Sequence, residues 1–151
     1  MADKVFSNEL ERVESRADAN ELQRHIKDYY DDYLAGVGKW GKDKEVSFNS
    51  IMDAQLDDPE KSLAYAVVAM ADFDDPDFLY YVAAGPLENS LCCPSDDLIE
   101  RVLCEALRTP RFRWMLNGVY SHAIARNVAA RIENELGGWK DEYPMPPRPW
   151  A

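Results

Sequence analysis

Apolar positions along this chain recur at three- and four-residue steps, the spacing of a helix face, and nowhere fall into the two-residue alternation of a strand. Phe6, Leu10, Val13 and Ala17 predict a short first helix with Glu9, Glu11, Glu14 and Arg16 on its outer side. Leu22, Ile26, Tyr29 and Tyr33 predict a second, its stripe widened by Tyr30 and Leu34. Asp18 or Asn20 suits its N-cap, because a short acceptor side chain can receive the free amides of a first turn, and Gly36 and Gly38 end it. The stretch 37–45, with Gly38, Gly41 and three lysines around Trp40, has loop composition. Ser47 then opens a helix carrying Phe48, Ile51, Met52 and Gln55 that ends near Asp57.

Every residue from Leu63 to Ala71 is apolar, and a helix apolar all round must be covered on every side. This predicts a central buried helix over 59–72. Asp58-Pro59 starts it, with an acceptor at the cap and a proline at the first helical position, where the missing N–H costs nothing. Asp75-Pro76 repeats the device. Gly85, Pro86, Leu87 and Glu88 predict a third start, with Gly85 at the cap and the Glu88 carboxylate reaching back to free amides. Ser95 or Asp96 opens a helix whose face is Leu98, Ile99, Val102, Leu103, Ala106 and Leu107. Pro110 starts a shorter one through Phe112, Trp114, Met115 and Leu116, closed by Asn117-Gly118 as a left-handed cap. Ser121 caps a last helix, with Ile124, Val128, Ile132 and Leu136 at four-residue steps, until Gly137-Gly138.

Pro144, Pro146, Pro147 and Pro149 force an extended tail, which Trp139, Tyr143 and Trp150 would dock on the body. The expected architecture is all-α: a compact single-domain bundle of about seven or eight short helices around the central one. The domain is expected over 1–138 and the extended tail over 139–151.

Several segments resemble an uncharacterised bacterial all-helical family with a Gly-Pro-Leu-Glu-x-x-Leu core. They are the run from Asp58 to Ala71, Ala83-Ala84-Gly85-Pro86-Leu87-Glu88 with Leu91, Ile99-Glu100, and Thr109-Pro110-Arg111-Phe112-Arg113 leading into Leu116, Gly118 and Val119. The resemblance spans roughly residues 58–120 and implies a helical fold with no known activity. Asn89-Ser90 and Cys92-Cys93 depart from that pattern.

Charge adds a direction to this picture. Residues 1–100 hold 23 acidic and 9 basic side chains, whereas residues 101–151 hold 5 and 8, so the net charge of −11 sits in the first two thirds. An acidic surface repels nucleic acid and steers basic partners inward. The arginines Arg101, Arg108, Arg111, Arg113, Arg126 and Arg131 are expected to pair with the acidic half. With no signal-peptide pattern and no apolar run long enough to span a bilayer, a cytoplasmic protein is expected.

Catalytic chemistry finds little to stand on. Only His25 and His122 could act as imidazole bases, and no nucleophile motif accompanies either. Cys92 and Cys93 are adjacent and Cys104 is isolated, which does not give the separated ligand pairs of a zinc site and predicts buried reduced thiols. Neither acidic cluster, Asp53/Asp57/Asp58/Glu60 or Asp72/Asp74/Asp75/Asp77, has the glycine and terminal glutamate of a calcium loop. No catalytic, metal or cofactor residue is therefore assigned.

The function these features favour is a non-enzymatic acidic binding protein, of the immunity or inhibitor kind, that neutralises a basic protein partner such as a bacterial toxin or effector. Partner-binding residues are expected at Asp28, Tyr29, Tyr30, Asp31, Asp32 and Tyr33, and at Asp72, Asp74, Asp75 and Asp77, combining steering charge with aromatic anchors. Membrane contact and direct nucleic-acid binding are not expected, and a homodimer is left open. One alternative is a small enzyme or ligand receptor with a carboxylate and tyrosine pocket from Glu88, Tyr80, Tyr81 and His122. The other is an acidic mimic of DNA.

Overall fold

The protein is seen here as a computed structural model that describes residues 8–36, 58–138 and 144–148. Among these residues every regular element is helical: α1 (Glu9–Glu14), α2 (Ala19–Ala35), α3 (Pro59–Asp72), α4 (Pro76–Val82), α5 (Asp96–Arg108), α6 (Pro110–Met115) and α7 (Arg126–Leu136). The expected all-α single domain is what forms. The helix expected at 47–57, the loop around Trp40, and Phe6, Trp139, Tyr143 and Trp150 lie outside the described residues.

Helix α3 is the axis of the bundle. Asp58 caps it as its sequence implies, accepting the Lys61 amide at 3.0 Å, with Pro59 in the first turn. Ser62 through Met70 are all buried, and α1, α2, α6 and the turns following α4 pack against it. Alanines at 64, 66 and 69 keep its girth small, so neighbouring backbones approach closely while Leu63, Val67, Val68 and Met70 fill the gaps. Each of those four larger side chains contributes roughly 1.5–3 kcal/mol on leaving water.

Helix α4 departs from the expected third start. Asp75 caps it, accepting the amides of Asp77 and Phe78 at 3.1 and 3.2 Å, but the chain does not stop at Gly85. It continues through a π-helical turn (Ala83–Leu87) into a last α-helical turn (Glu88–Ser90). Pro86 has no N–H for the carbonyl four residues back, and its ring would press on that carbonyl. The wider turn removes the clash, and the Glu88 amide reaches the carbonyl of Ala83, five residues behind. The Glu88 carboxylate is then free of capping duty at its own helix and accepts the Tyr120 amide at 2.9 Å.

Three further endings differ from expectation. Gly118 is not a left-handed cap: it closes a 3-10 turn (Leu116–Gly118), and only Gly36, Gly137 and Gly138 among the described residues take positive φ. Its lack of a side chain serves packing instead, since a Cβ there would lie 2.8 Å from the Ala83 Cβ and 3.0 Å from the Tyr80 ring. Ser121 opens only a 3-10 turn (Ser121–Ala123), and α7 begins at Arg126 without a side-chain cap. Asp18 stands at the α2 N-cap position but gives its oxygens to Arg16, at 2.8 and 3.1 Å. Leu34 and Leu107, placed on apolar faces by their spacing, are exposed, each lying past the edge of what its helix covers.

Polar groups lock the helices together inside. Glu105 is fully buried on α5 and accepts the Glu9 amide at 2.8 Å and the Thr109 hydroxyl at 2.8 Å, which pins the start of α1 to α5. Arg101 forks between Glu9 and Glu60, joining α1, α3 and α5, and also meets Asp97 at 3.0 Å. Of the six arginines expected to pair with the acidic half, Arg101, Arg111 and Arg131 reach acids there, whereas Arg108 pairs with Glu105 on its own helix and Arg113 closes α7 by donating to the carbonyls of Leu136 and Gly138.

The Gly118 contact gives a direct check. Gly118→Ala forces the new methyl into Ala83 and Tyr80 and should cost about 1–3 kcal/mol by overpacking, read as a lower urea midpoint with an unchanged m-value.

Candidate functional site

The two stretches expected to bind a partner, residues 28–33 and 72–77, meet at Tyr30 and Asp75. Side chains of α2 meet α4 and its cap, and the Tyr30 hydroxyl donates to Asp75 at 3.1 Å across 45 residues of sequence. Beneath that bond the rings interlock. Tyr30 meets Phe78 edge-on at 4.7 Å and Phe73 at 4.8 Å, and Tyr33 meets Tyr81 at 4.9 Å and Phe78 at 5.5 Å. The periodicity explains the arrangement: Tyr29 and Tyr33 are four apart on α2, and Phe78 and Tyr81 three apart on α4, so both pairs fall on facing stripes.

The ten expected partner-binding residues divide by what the fold does with them. Tyr29 is not an exposed anchor: it is 3% accessible, stacked on Tyr81 at 5.3 Å, and belongs to the core. Tyr30 and Tyr33 are half-buried at the rim, and burial raises both phenols above their ordinary pKa, with Asp75 adding to the rise in each. Asp75 itself is committed to capping α4 and to Tyr30. Asp31 and Asp77 stand exposed at the edge of the aromatic floor. Asp28 and Asp32 are half-buried on the same helix.

Asp72 and Asp74 lie where α3 ends, and here the fold adds partners no spacing disclosed. Arg111, 2% accessible, donates from Nη1 to the carbonyls of Met70 and Phe73 at 3.0 and 2.9 Å and from Nη2 to Asp74 at 2.9 Å. Its Nε donates to the Pro146 carbonyl at 2.9 Å, so the tail is seated on the body through residues 144–148, with Met145 against the core. Arg148 completes the cluster with a two-pronged bond to Asp74 at 3.0 and 2.8 Å. The guanidinium of Arg148, and then that of Arg111, hold the Asp74 carboxyl below its usual range, whereas burial pushes Asp72 up. Tail docking thus runs through Met145, Pro146 and Arg148.

The residues of the alternative pocket each have contacts of their own. Tyr80 stacks on Trp114 at 4.5 Å, Tyr81 on Tyr29, and Glu88 is occupied by the Tyr120 amide. His122 lines an open groove of about 440 Å³ beside Arg126, Ala129 and Glu133. Cys93 and Cys104 are exposed rather than buried, because Cys104 faces outward on α5 and Cys93 sits in the turn before it. Cys92 donates to the Ala123 carbonyl at 3.2 Å, and burial raises its thiol pKa. Among the described residues, no group of His, Cys, Asp and Glu is placed to hold a metal ion, and no helix is long and apolar enough to cross a membrane.

A second site that the sequence did not announce joins α2 to α3. Nδ1 of His25 lies 2.7 Å from the hydroxyl of Tyr65, which is buried in mid-α3 and pushed up to about 12 by burial, and Nε2 lies 3.6 Å from Glu21. Burial lowers the His25 pKa despite Glu21, so the folded protein holds a neutral imidazole where the unfolded chain takes up a proton more readily.

Two outcomes follow from these contacts. Arg111→Leu strands the Met70 and Phe73 carbonyls and should cost roughly 3 kcal/mol in urea denaturation, with Arg111→Lys recovering only part because one ammonium cannot reach four acceptors in a fork. A lowered folded-state pKa means that the His25 contribution is complete above the ordinary value of 6.5 and is lost as pH falls through that value toward the folded one. The urea midpoint should therefore fall between pH 7.5 and pH 5.5, and His25→Gln should flatten that slope.

Comparison with curated proteins and with solved structures finds no match for this chain. One family model does match, over residues 38–137, which takes in α3 through α7 and therefore both the end of α3 and the acidic cap of α4. On that match the chain belongs to the family of unknown function DUF6869.

Proposed function

We propose that this chain is a non-enzymatic acidic binding protein, of the immunity or inhibitor kind, that covers a basic protein partner such as a bacterial toxin or effector in the cytoplasm. One observation carries the reading: residues 28–33 and the start of α4, far apart in sequence, share a single aromatic-floored face, joined by the bond from Tyr30 to Asp75. Asp31 and Asp77 flank that floor in solvent. Carboxylates around half-buried tyrosine rings suit lysine and arginine side chains, whose charge the acids attract and whose stems and planar groups lie on ring faces. Rim carboxylates of this kind act mainly on the rate of encounter.

The test uses the full chain and a defined partner, the product of the adjacent gene if that product is basic, measured by surface plasmon resonance. Replacing both Asp31 and Asp77 by Lys should slow association on the order of ten-fold at low salt and flatten its salt dependence, while stability falls by no more than about 1 kcal/mol, since both side chains are exposed and only Asp77 lies in a helix first turn. Unchanged association kinetics, or no complex at micromolar concentration, would remove the proposal. Competition by duplex DNA for the same partner would assign the DNA-mimic form of it.

A further inference from the structure

The end of α3 holds two guanidinium groups, one buried and one exposed. Three backbone carbonyls and one carboxylate gather at this point: the carbonyls of Met70, Asp72 and Phe73, with the side chain of Asp74. A helix C-terminus presents unsatisfied carbonyls and a partial negative charge, so cations are favoured at it. Arg111 reaches Met70, Phe73 and Asp74 from inside, and being buried it cannot leave. Arg111 uses one oxygen of the exposed Asp74 carboxylate, which leaves the other oxygen and the Asp72 carbonyl open on the outer side.

Arg148 takes that place. Nε and Nη2 meet the two Asp74 oxygens in the parallel geometry that arginine makes and lysine cannot, and Nη2 also meets the Asp72 carbonyl at 3.2 Å. The occupant is held from outside only. Arg148 is exposed, and residues 144–148 form no regular element; among the described residues, their other polar tie to the body is the bond from Arg111 to the Pro146 carbonyl.

We propose that the end of α3 is an arginine-binding subsite, filled in cis by Arg148 and opened to an arginine of a basic partner when residues 144–148 lift away. This rests on the reading that the acidic face meets such a partner, and it names the chemistry recognised: a planar guanidinium on an extended, proline-flanked strand of chain. The tail would then be a competitor for the site as well as its cover. An occupant tethered by a short linker acts at high effective concentration, so displacing it weakens every ligand that enters in trans.

The test needs no partner protein. A fluorescein-labelled peptide with the sequence Met-Pro-Pro-Arg-Pro is titrated by anisotropy against wild type and against Arg148→Ala, with citrulline or lysine replacing its arginine as controls. A tail seated for about nine tenths of the time makes wild type bind about ten-fold more weakly than Arg148→Ala. Citrulline should abolish binding to Arg148→Ala, and lysine should weaken it. Asp74→Asn combined with Arg148→Ala should also abolish it, and circular dichroism confirms that this double variant is folded. If it is not folded, high-salt loss of binding to Arg148→Ala replaces that arm. Equal binding by wild type and Arg148→Ala, or indifference to citrulline, would overturn the subsite. Tight peptide binding without any complex in the partner experiment would sustain the subsite while removing the partner reading.

Discussion

A helix that is apolar on every side cannot be stable at a surface, and the fold follows from covering α3. Its nine buried residues from Ser62 to Met70 have no outward face, so α1, α2, α6 and the turns after α4 must enclose it. Enclosure brings a second requirement. The carbonyls at the end of α3 leave the helix in a crowded region, and a buried carbonyl without a donor is costly. Arg111 supplies the donors for Met70 and Phe73, and a buried arginine in turn requires an anion, which Asp74 provides. The packing of an apolar helix thus ends in an ionic cluster at the surface.

That cluster and the aromatic-acidic face lie on either side of one short connection, residues 73–75. Phe73 packs against Tyr30 and Phe78 while its carbonyl receives Arg111, so the same residue belongs to the ring cluster and to the cation cluster. Asp74 points to the arginines and Asp75 to Tyr30 and the α4 amides. Neighbouring carboxylates therefore have different electrostatic lives. Asp75 is structural and Asp74 is occupied by arginines of its own chain, whereas Asp31 and Asp77 stand exposed beside the rings.

The interior also shows how a chain of this acidity tolerates its own charge. Glu9 and Glu60 converge on Arg101, and Glu105 is buried among an amide, a hydroxyl and Arg108. Each acid is placed where a donor from a different helix meets it, so charge that would repel as a patch instead joins elements. The basic residues of the last third are largely spent in this way, leaving the outer face of α2 and the start of α4 acidic.

Helix positions were legible in the sequence wherever a local rule acts. The Asp-Pro starts of α3 and α4, the Ser95 cap and the glycine stops at 36 and 137 each depend on residues within one turn. Local rules failed where a neighbour distant in sequence decides. Gly85-Pro86 reads as a helix start, but packing of the preceding helix favours continuing through a π turn; Gly118 reads as a cap, but Ala83 and Tyr80 need the space. The same division holds for the site. Its acids and tyrosines could be named from spacing, yet which are buried, which are neutralised and which face solvent was settled by tertiary contacts such as those of Tyr29 with Tyr81 and Asp74 with Arg111 and Arg148. Periodicity records which side of a helix is apolar; only assembly brings residues tens of positions apart within the 3 Å at which hydrogen bonds and ion pairs act.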